Sequence, residues 1–333
     1  MTDVENVGTG AIGPTDPDIS AELWRAVRGA DASLAERIAG MQEEDFTSAG
    51  GVRIHMRSWL PDGPARAVLV ICHGVNSHGG QHAWTATQFA ERGLAVYALD
   101  LRGRGKSDGE RFYVEDIADY VADLRGLIHI ARERHPGLPV FLLGHSAGGV
   151  TACTYALDYQ DEIEGLICES FAFQVPAPGF LLSAIKGLSR LAPHLGVLTL
   201  HMKDFTRDPA ALAALEADPL TKGETQPAAT VAALVRADER LHDAFGDITL
   251  PVLILHGTAD KATVCHGSEY FHAHAGSIDK TLKLYEGHYH DLLNDIGKED
   301  VLSDVATWIE ARMVPETQPE SGGAIQPETA PTT

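Results

Sequence analysis

Between about residues 43 and 314, short apolar runs alternate with stretches in which apolar residues recur every three or four positions. Ala67–Cys72, Ala95–Leu99, Val140–Leu143, Gly165–Cys168 and Pro251–Leu255 are continuous apolar runs, the pattern of strands buried on both faces. Val52–Trp59 alternates as a strand with one polar face. Helical spacing follows these runs at Trp84–Arg92, Ile117–Arg134, Gly148–Leu157 and Tyr270–Ala275, and again over Asp300–Arg312. Strands alternating with helices in this way predict an α/β fold, with a mostly parallel central sheet covered by helices on both faces.

Three segments depart from the rhythm. In residues 171–248 no strand pattern is convincing; Leu181, Ile185, Leu188, Leu191 and Leu195 make one apolar helical face, and two Asp-Pro steps follow. A helical insertion within an α/β rhythm reads as a lid, placed above the strand ends where such sheets bind ligands. Residues 1–44 form an N-terminal extension in which Leu23, Val27, Ala30, Leu34, Ile38 and Met41 predict an amphipathic helix. Its apolar stripe is expected to cover the catalytic body; a second reading makes it a partner surface, as in a homodimer. Residues 315–333 are low-complexity and expected to be disordered. The hydrolytic core is thus expected over 45–170 and 249–314.

Composition narrows the class. The 333 residues are 44% hydrophobic and 22% charged, ample for a core without disulfide or metal staples. Forty-seven acidic against 26 basic side chains give a net charge of −21, which repels nucleic acid and anionic membranes. Cys72, Cys153, Cys168 and Cys265 show no paired spacing, so no disulfide or zinc framework is implied. The first residues lack the basic and apolar regions of a signal peptide, and no apolar run reaches the ~18 residues of a membrane span. The expectation is a soluble cytoplasmic protein.

The strongest chemical signal is Gly144-His145-Ser146-Ala147-Gly148-Gly149, directly after an apolar strand run and before a helical one. This is G-x-S-x-G in the strand–turn–helix setting that a nucleophile elbow requires. A serine needs a base and an acid to orient it. PVLILHGTAD presents Asp260 after a strand, and TLKLYEG is a strand pattern followed by His288, Tyr289 and His290. The order Ser146, Asp260, His290 fits, although spacing alone leaves His288 open as the base and Glu169 as the acid. The pairs His288-x-His290 and His272-x-His274 lack a third ligand at metal spacing, so no metal is expected.

An acyl-transfer intermediate also needs two preplaced N–H donors for its oxyanion. Ala147, next after the nucleophile, supplies one; Val75, in the loop His73-Gly74-Val75-Asn76 after strand 67–72, is expected to supply the other. The segment Asp100-Leu-Arg-Gly-Arg-Gly-Lys-Ser107 ends like a phosphate loop but has Asp100 where that motif needs glycine, and reads as a structural turn.

Together GHSAGG, the HG after the buried strand, DLRGRGKSDG, HGTAD and YEGHYH resemble the monoacylglycerol lipase group of serine α/β-hydrolases over about residues 45–312. The resemblance implies a lidded esterase or lipase that needs no cofactor. It makes His290 the base and Asp260 the acid, with the oxyanion donors at Val75 and Ala147. Asn76 and His145 near the site, with Leu181 and Ile185 on the lid, are the candidate substrate contacts. Departures lie around the acyl site: Asn76-Ser77 and Gln81-His82 replace the group's usual residues, and Ala147 stands where methionine is common. The expected activity is hydrolysis of a small hydrophobic monoester through an acyl-enzyme. The alternatives are another bond cleaved by the same residues (thioester, amide, carbon–carbon or an aromatic-acid monoester) or a non-catalytic binding protein.

Overall fold

The computed structural model describes residues 40–175 and 179–313. Its strands are β1 (Met41–Thr47), β2 (Arg53–Trp59), β3 (Ala67–Cys72), β4 (Leu94–Leu99), β5 (Val140–His145), β6 (Gly165–Glu169), β7 (Gly196–Leu198), β8 (Gln226–Pro227), β9 (Val252–Gly257) and β10 (Lys280–Tyr285). Eight of them form one sheet in the order β1-β2-β4-β3-β5-β6-β9-β10. β2 runs antiparallel to β4, and the pairings from β4 through β10 are parallel. Every residue of β3, β4, β5, β6 and β9 is buried, as their uninterrupted apolar runs require of strands covered on both faces.

The helices are α1 (Ala83–Glu91), α2 (Ile117–Arg134), α3 (Ala147–Tyr159), α4 (Gly179–Leu188), α5 (Pro209–Ala217), α6 (Ala228–Ala244), α7 (Cys265–His274) and α8 (Lys298–Glu310). α3 is buried from Ala147 through Ala156, so it packs beneath neighbours rather than exposing a polar face. Its small residues are required: a Cβ on Gly148 would sit 2.2 Å from the Cys72 carbonyl oxygen.

The chain order reverses at β3. The connection from β3 leads to β4 on one side, and β5 then returns to pair with β3 on the other, with Cys72 beside Gly144. Such a switch point opens a crevice at the carboxyl ends of the two strands, where open α/β sheets bind ligands.

Several elements differ from the sequence expectation. Met41 opens strand β1 instead of ending a helical stripe, and the remainder of that predicted helix lies outside the described residues, as does the 315–333 tail. β1 escaped detection because it is an edge strand with three consecutive acidic residues, Glu43 to Asp45, and no apolar alternation. Charge pairing holds it: Glu43 meets Lys106 at 2.7 Å and Glu44 meets Arg134 at 2.8 Å. In the inserted segment β7 pairs antiparallel with β8, too short a ladder to leave a period in the sequence. The apolar face expected over 181–195 is also cut short, because α4 stops at Leu188. Pro193 cannot donate to a helix and disfavours helical backbone before it, and Leu191 is left 87% exposed. α6, within the same segment, contributes Ala233, Ala237 and Leu241 to the main core.

Candidate active site

Ser146 occupies the turn between β5 and α3 with φ 55° and ψ −122°, a left-handed conformation that non-glycine residues hold only under constraint. Its own backbone supplies that constraint. The Ser146 N–H donates to the Glu169 carbonyl at 2.9 Å, and its carbonyl accepts from Gly149 at 2.9 Å and from Ala172 at 3.2 Å. The side chain stands at the head of α3, where the helix dipole favours developing negative charge. Across the switch point, Gly74 abuts the turn so closely that a Cβ there would lie 2.9 Å from Ser146 Cβ.

β9 and β10 are neighbours, so the loops that leave their carboxyl ends are adjacent as well. These loops carry Asp260 and His290, whose Oδ2 and Nδ1 are 2.7 Å apart. Asp260 Oδ1 accepts the N–H groups of Ala262 (2.7 Å) and Thr263 (3.1 Å), while Oδ2 also accepts the Thr263 hydroxyl at 2.7 Å. His256 Nε2 lies 3.1 Å from the same oxygen. Burial opposes ionisation of Asp260, but electrostatic attraction to His290 and the hydrogen bonds from His256 and His290 outweigh it and hold the carboxyl well below the ordinary carboxylate range. The carboxylate fixes the proton on His290 Nδ1 and leaves Nε2 as the free acceptor; Nε2 is buried and has no hydrogen-bond partner among the described residues.

His290 reaches the elbow through His145, the residue before Ser146, with ring centroids 5.0 Å apart. Phe205, from the inserted segment, closes the other side with its ring edge-on to His290 at 4.7 Å. Above Ser146 lies an apolar cavity of about 290 Å³. Val75, Ser146 and Ala147 form part of its wall, and Leu181, Leu182 and Ile185 of α4, Leu200, Phe205 and Leu234 enclose it. No acceptor for the Val75 N–H is found among the described residues, and Val75 and Ala147 share the cavity wall with Ser146.

The remaining sequence candidates lie elsewhere. Leu181 and Ile185 line the cavity, but Asn76 and His145 do not. Asn76 is buried against the inserted segment, its N–H on Glu224 and its side-chain oxygen on Gln226. His145 is walled in between His82 and His290, and burial first, then the nearby His290, pushes its pKa down to about 3. His288 packs on Tyr285 instead of meeting Asp260. Glu169 is fully buried and accepts the Leu293 N–H at 2.9 Å, whereas His290 Nδ1 is bonded to Asp260. The Glu169 carboxylate, with Asp291 and His145, forms a group in which one ligand atom from each lies within 4.8 Å of the others. Asp100 is the structural anchor of its turn, accepting from Gly79 and Lys106 and pairing with Arg57.

Sequence reasoning missed Phe205, Thr263 and His256. Asp260 caps the backbone two and three residues on, at Ala262 and Thr263, as an aspartate in a turn does, and His256 opens the HGTAD motif; nothing local marks Phe205.

Residues 63–297 match the Hydrolase_4 family, described as serine aminopeptidase, S33. Over 269 residues the chain is 36% identical to the monoacylglycerol lipase of Mycolicibacterium smegmatis, spanning 80% of this chain and 96% of that one. It is 31% identical over 272 residues to the Homo sapiens monoglyceride lipase, spanning 80% and 90% of the two chains. The crystal structure of Paleococcus ferrophilus monoacylglycerol lipase superposes with a TM-score of 0.71 at 28% identity, covering 78% of this chain and 99% of that one. The family match covers well over half of the chain, and the relatives align along nearly their whole lengths: this protein belongs to the serine aminopeptidase, S33 (Hydrolase_4) family of α/β-hydrolases.

Proposed function

We propose that this protein is a serine hydrolase of carboxylic monoesters, of the kind its monoacylglycerol lipase relatives are named for, and that Ser146, Asp260 and His290 carry the reaction. The observation that supports this most is the Asp260–His290 pair at 2.7 Å, with His290 packed on His145 of the elbow whose strained Ser146 opens into an apolar cavity.

His290 Nε2 takes the hydroxyl proton as Ser146 Oγ attacks the ester carbonyl, and the oxyanion is held by the Val75 and Ala147 N–H groups. Collapse of the tetrahedral adduct expels the alcohol, which receives the proton from His290. Water, deprotonated by the same nitrogen, then attacks the acyl-enzyme, and the acid leaves as Ser146 regains its proton. Asp260 stays ionised throughout and stabilises the imidazolium.

The segment over the site acts as a lid: α4 and Phe205 shield the reaction from water. At about 290 Å³ the cavity is at the small end of ligand pockets, which run to about 300–1,000 Å³. A short or medium acyl chain is therefore favoured over a long one. Ala147 presents only a methyl group at the cavity wall, which leaves room for a branched or aromatic acid. Labelling with a fluorophosphonate, followed by peptide mapping, tests the assignment: the adduct is expected on Ser146 and nowhere else.

A further inference from the structure

Glu224 lies between α5 and β8, 148 residues from the loop that carries Val75, yet its Oε1 accepts the Asn76 N–H at 2.8 Å. The same oxygen pairs with the Arg104 guanidinium and accepts Gln226 Nε2 at 2.5 Å. Arg104 is 1% exposed and spends its other donors on the Tyr120 hydroxyl (3.0 Å) and Gln226 Oε1 (2.9 Å). Gln226 Nε2 also reaches Asn76 Oδ1 at 3.1 Å. A short way along the same segment, Asp218 Oδ2 bonds His78 at 2.8 Å and Gln81 at 2.9 Å. The inserted segment therefore grips the loop from Asn76 to Gln81 at both ends.

Asn76 sits at φ 54°, a conformation that needs outside support. We propose that Glu224 is a positioning residue for oxyanion stabilisation: by capturing the Asn76 N–H it fixes the Val75–Asn76 peptide and so holds the Val75 N–H on the oxyanion. The inference rests on the reading of Val75 given above. Gly74, pressed against Ser146, fixes the loop from the other side. A loop released from Glu224 keeps its cavity walls but loses the alignment of a donor that acts only in the transition state. The effect belongs in kcat and not in KM.

Removing Glu224 alone strands the buried Arg104 charge, whereas neutralising both partners of a buried pair is often tolerated. The test therefore compares Arg104→Leu/Glu224→Gln, which keeps an acceptor for the Asn76 N–H, with Arg104→Leu/Glu224→Leu, which does not. Thermal unfolding, kcat and KM on one p-nitrophenyl ester, and inactivation by a fluorophosphonate are measured for each. The leucine pair is expected to have a kcat about tenfold or more below the glutamine pair, with KM changed little and inactivation slowed in parallel, since a lost oxyanion donor costs about 10²–10³. Equal kcat in the two, or a difference confined to KM, overturns the proposal. If the leucine pair does not fold, Glu224→Asp keeps the charge beside Arg104 and withdraws the acceptor by one methylene; the same drop in kcat is expected, and an unchanged kcat is again contrary. Failure of the wild type to label at Ser146 would remove the parent reading, whereas normal labelling with equal variants removes only the role of Glu224.

Discussion

His290 Nδ1 lies 2.7 Å from Asp260 Oδ2, and that carboxylate is itself held by two backbone N–H groups, the Thr263 hydroxyl and His256. The imidazole is thus tied to a group whose own position is over-determined, which is what a general base must have before substrate arrives. The pair forms because the loops after adjacent parallel strands converge at one end of the sheet.

Asp260→Asn keeps the size of the side chain but removes the charge and the preference for a proton on Nδ1. We expect kcat on a p-nitrophenyl ester to fall by about 10³–10⁴ with little change in KM. The depressed carboxyl pKa adds a pH signature. A folded-state pKa below the unfolded one gives stability that is present above the unfolded value, 3.8, and lost as pH falls through and below it. The melting-temperature deficit of the variant is therefore largest near neutrality and shrinks in acid.

Glu169 has the opposite sign. Burial, with the Asp291 charge behind it, raises its pKa well above the ordinary 4.5. The folded state then binds a proton that the unfolded state has released, so stability falls as pH rises above 4.5 towards the folded value. Glu169→Gln keeps the acceptor for Leu293 and removes the ionisation. It should melt at or above the wild type at pH 7 and converge with it below about pH 4.5; a variant markedly less stable at pH 7 would show Glu169 to be ionised and paired.

Gly74→Ala places a methyl group 2.9 Å from Ser146 Cβ and 3.0 Å from the His145 carbonyl oxygen. We expect a folded protein whose kcat is reduced at least about tenfold, because the elbow and the oxyanion loop can no longer keep their spacing. Gly187→Ala, with open space around the added methyl group, is the control and should leave kcat unaltered.

Ala147→Met narrows the cavity beside Ser146 while leaving the backbone N–H of residue 147 in place. The ratio of kcat/KM for aromatic-acid over straight-chain esters should fall by at least about 10–200-fold, the range a single methylene commands in an apolar pocket. An unchanged ratio would mean that the acid part does not lie against residue 147.

The sheet and the chemistry at its edge were legible in the sequence for one reason. Strands buried on both faces read as unbroken apolar runs, and Ser146 and Asp260 follow two of them, β5 and β9, while His290 follows β10, an edge strand that shows in the sequence as an alternating pattern. What was not legible has no local signature. β1 is held by charge pairs such as Glu44–Arg134, whose partners are 90 residues apart. Phe205 meets His290 only through the packing of the inserted segment. Asn76 read as a substrate contact because it follows Val75, yet Glu224 and Gln226 occupy its polar groups. His145 read the same way beside Ser146, and the sheet instead buries it behind His290.

The most direct test of the central claim is acid release from a panel of monoesters by the wild type and by Ser146→Ala. The panel runs from short p-nitrophenyl esters through monoacylglycerols to alkyl esters of aromatic acids. Cleavage by the wild type, strongest for short or medium acids, with the alanine variant folded but inactive, is the predicted result. Equal turnover by the two proteins, or no turnover of any ester by the wild type, would contradict it.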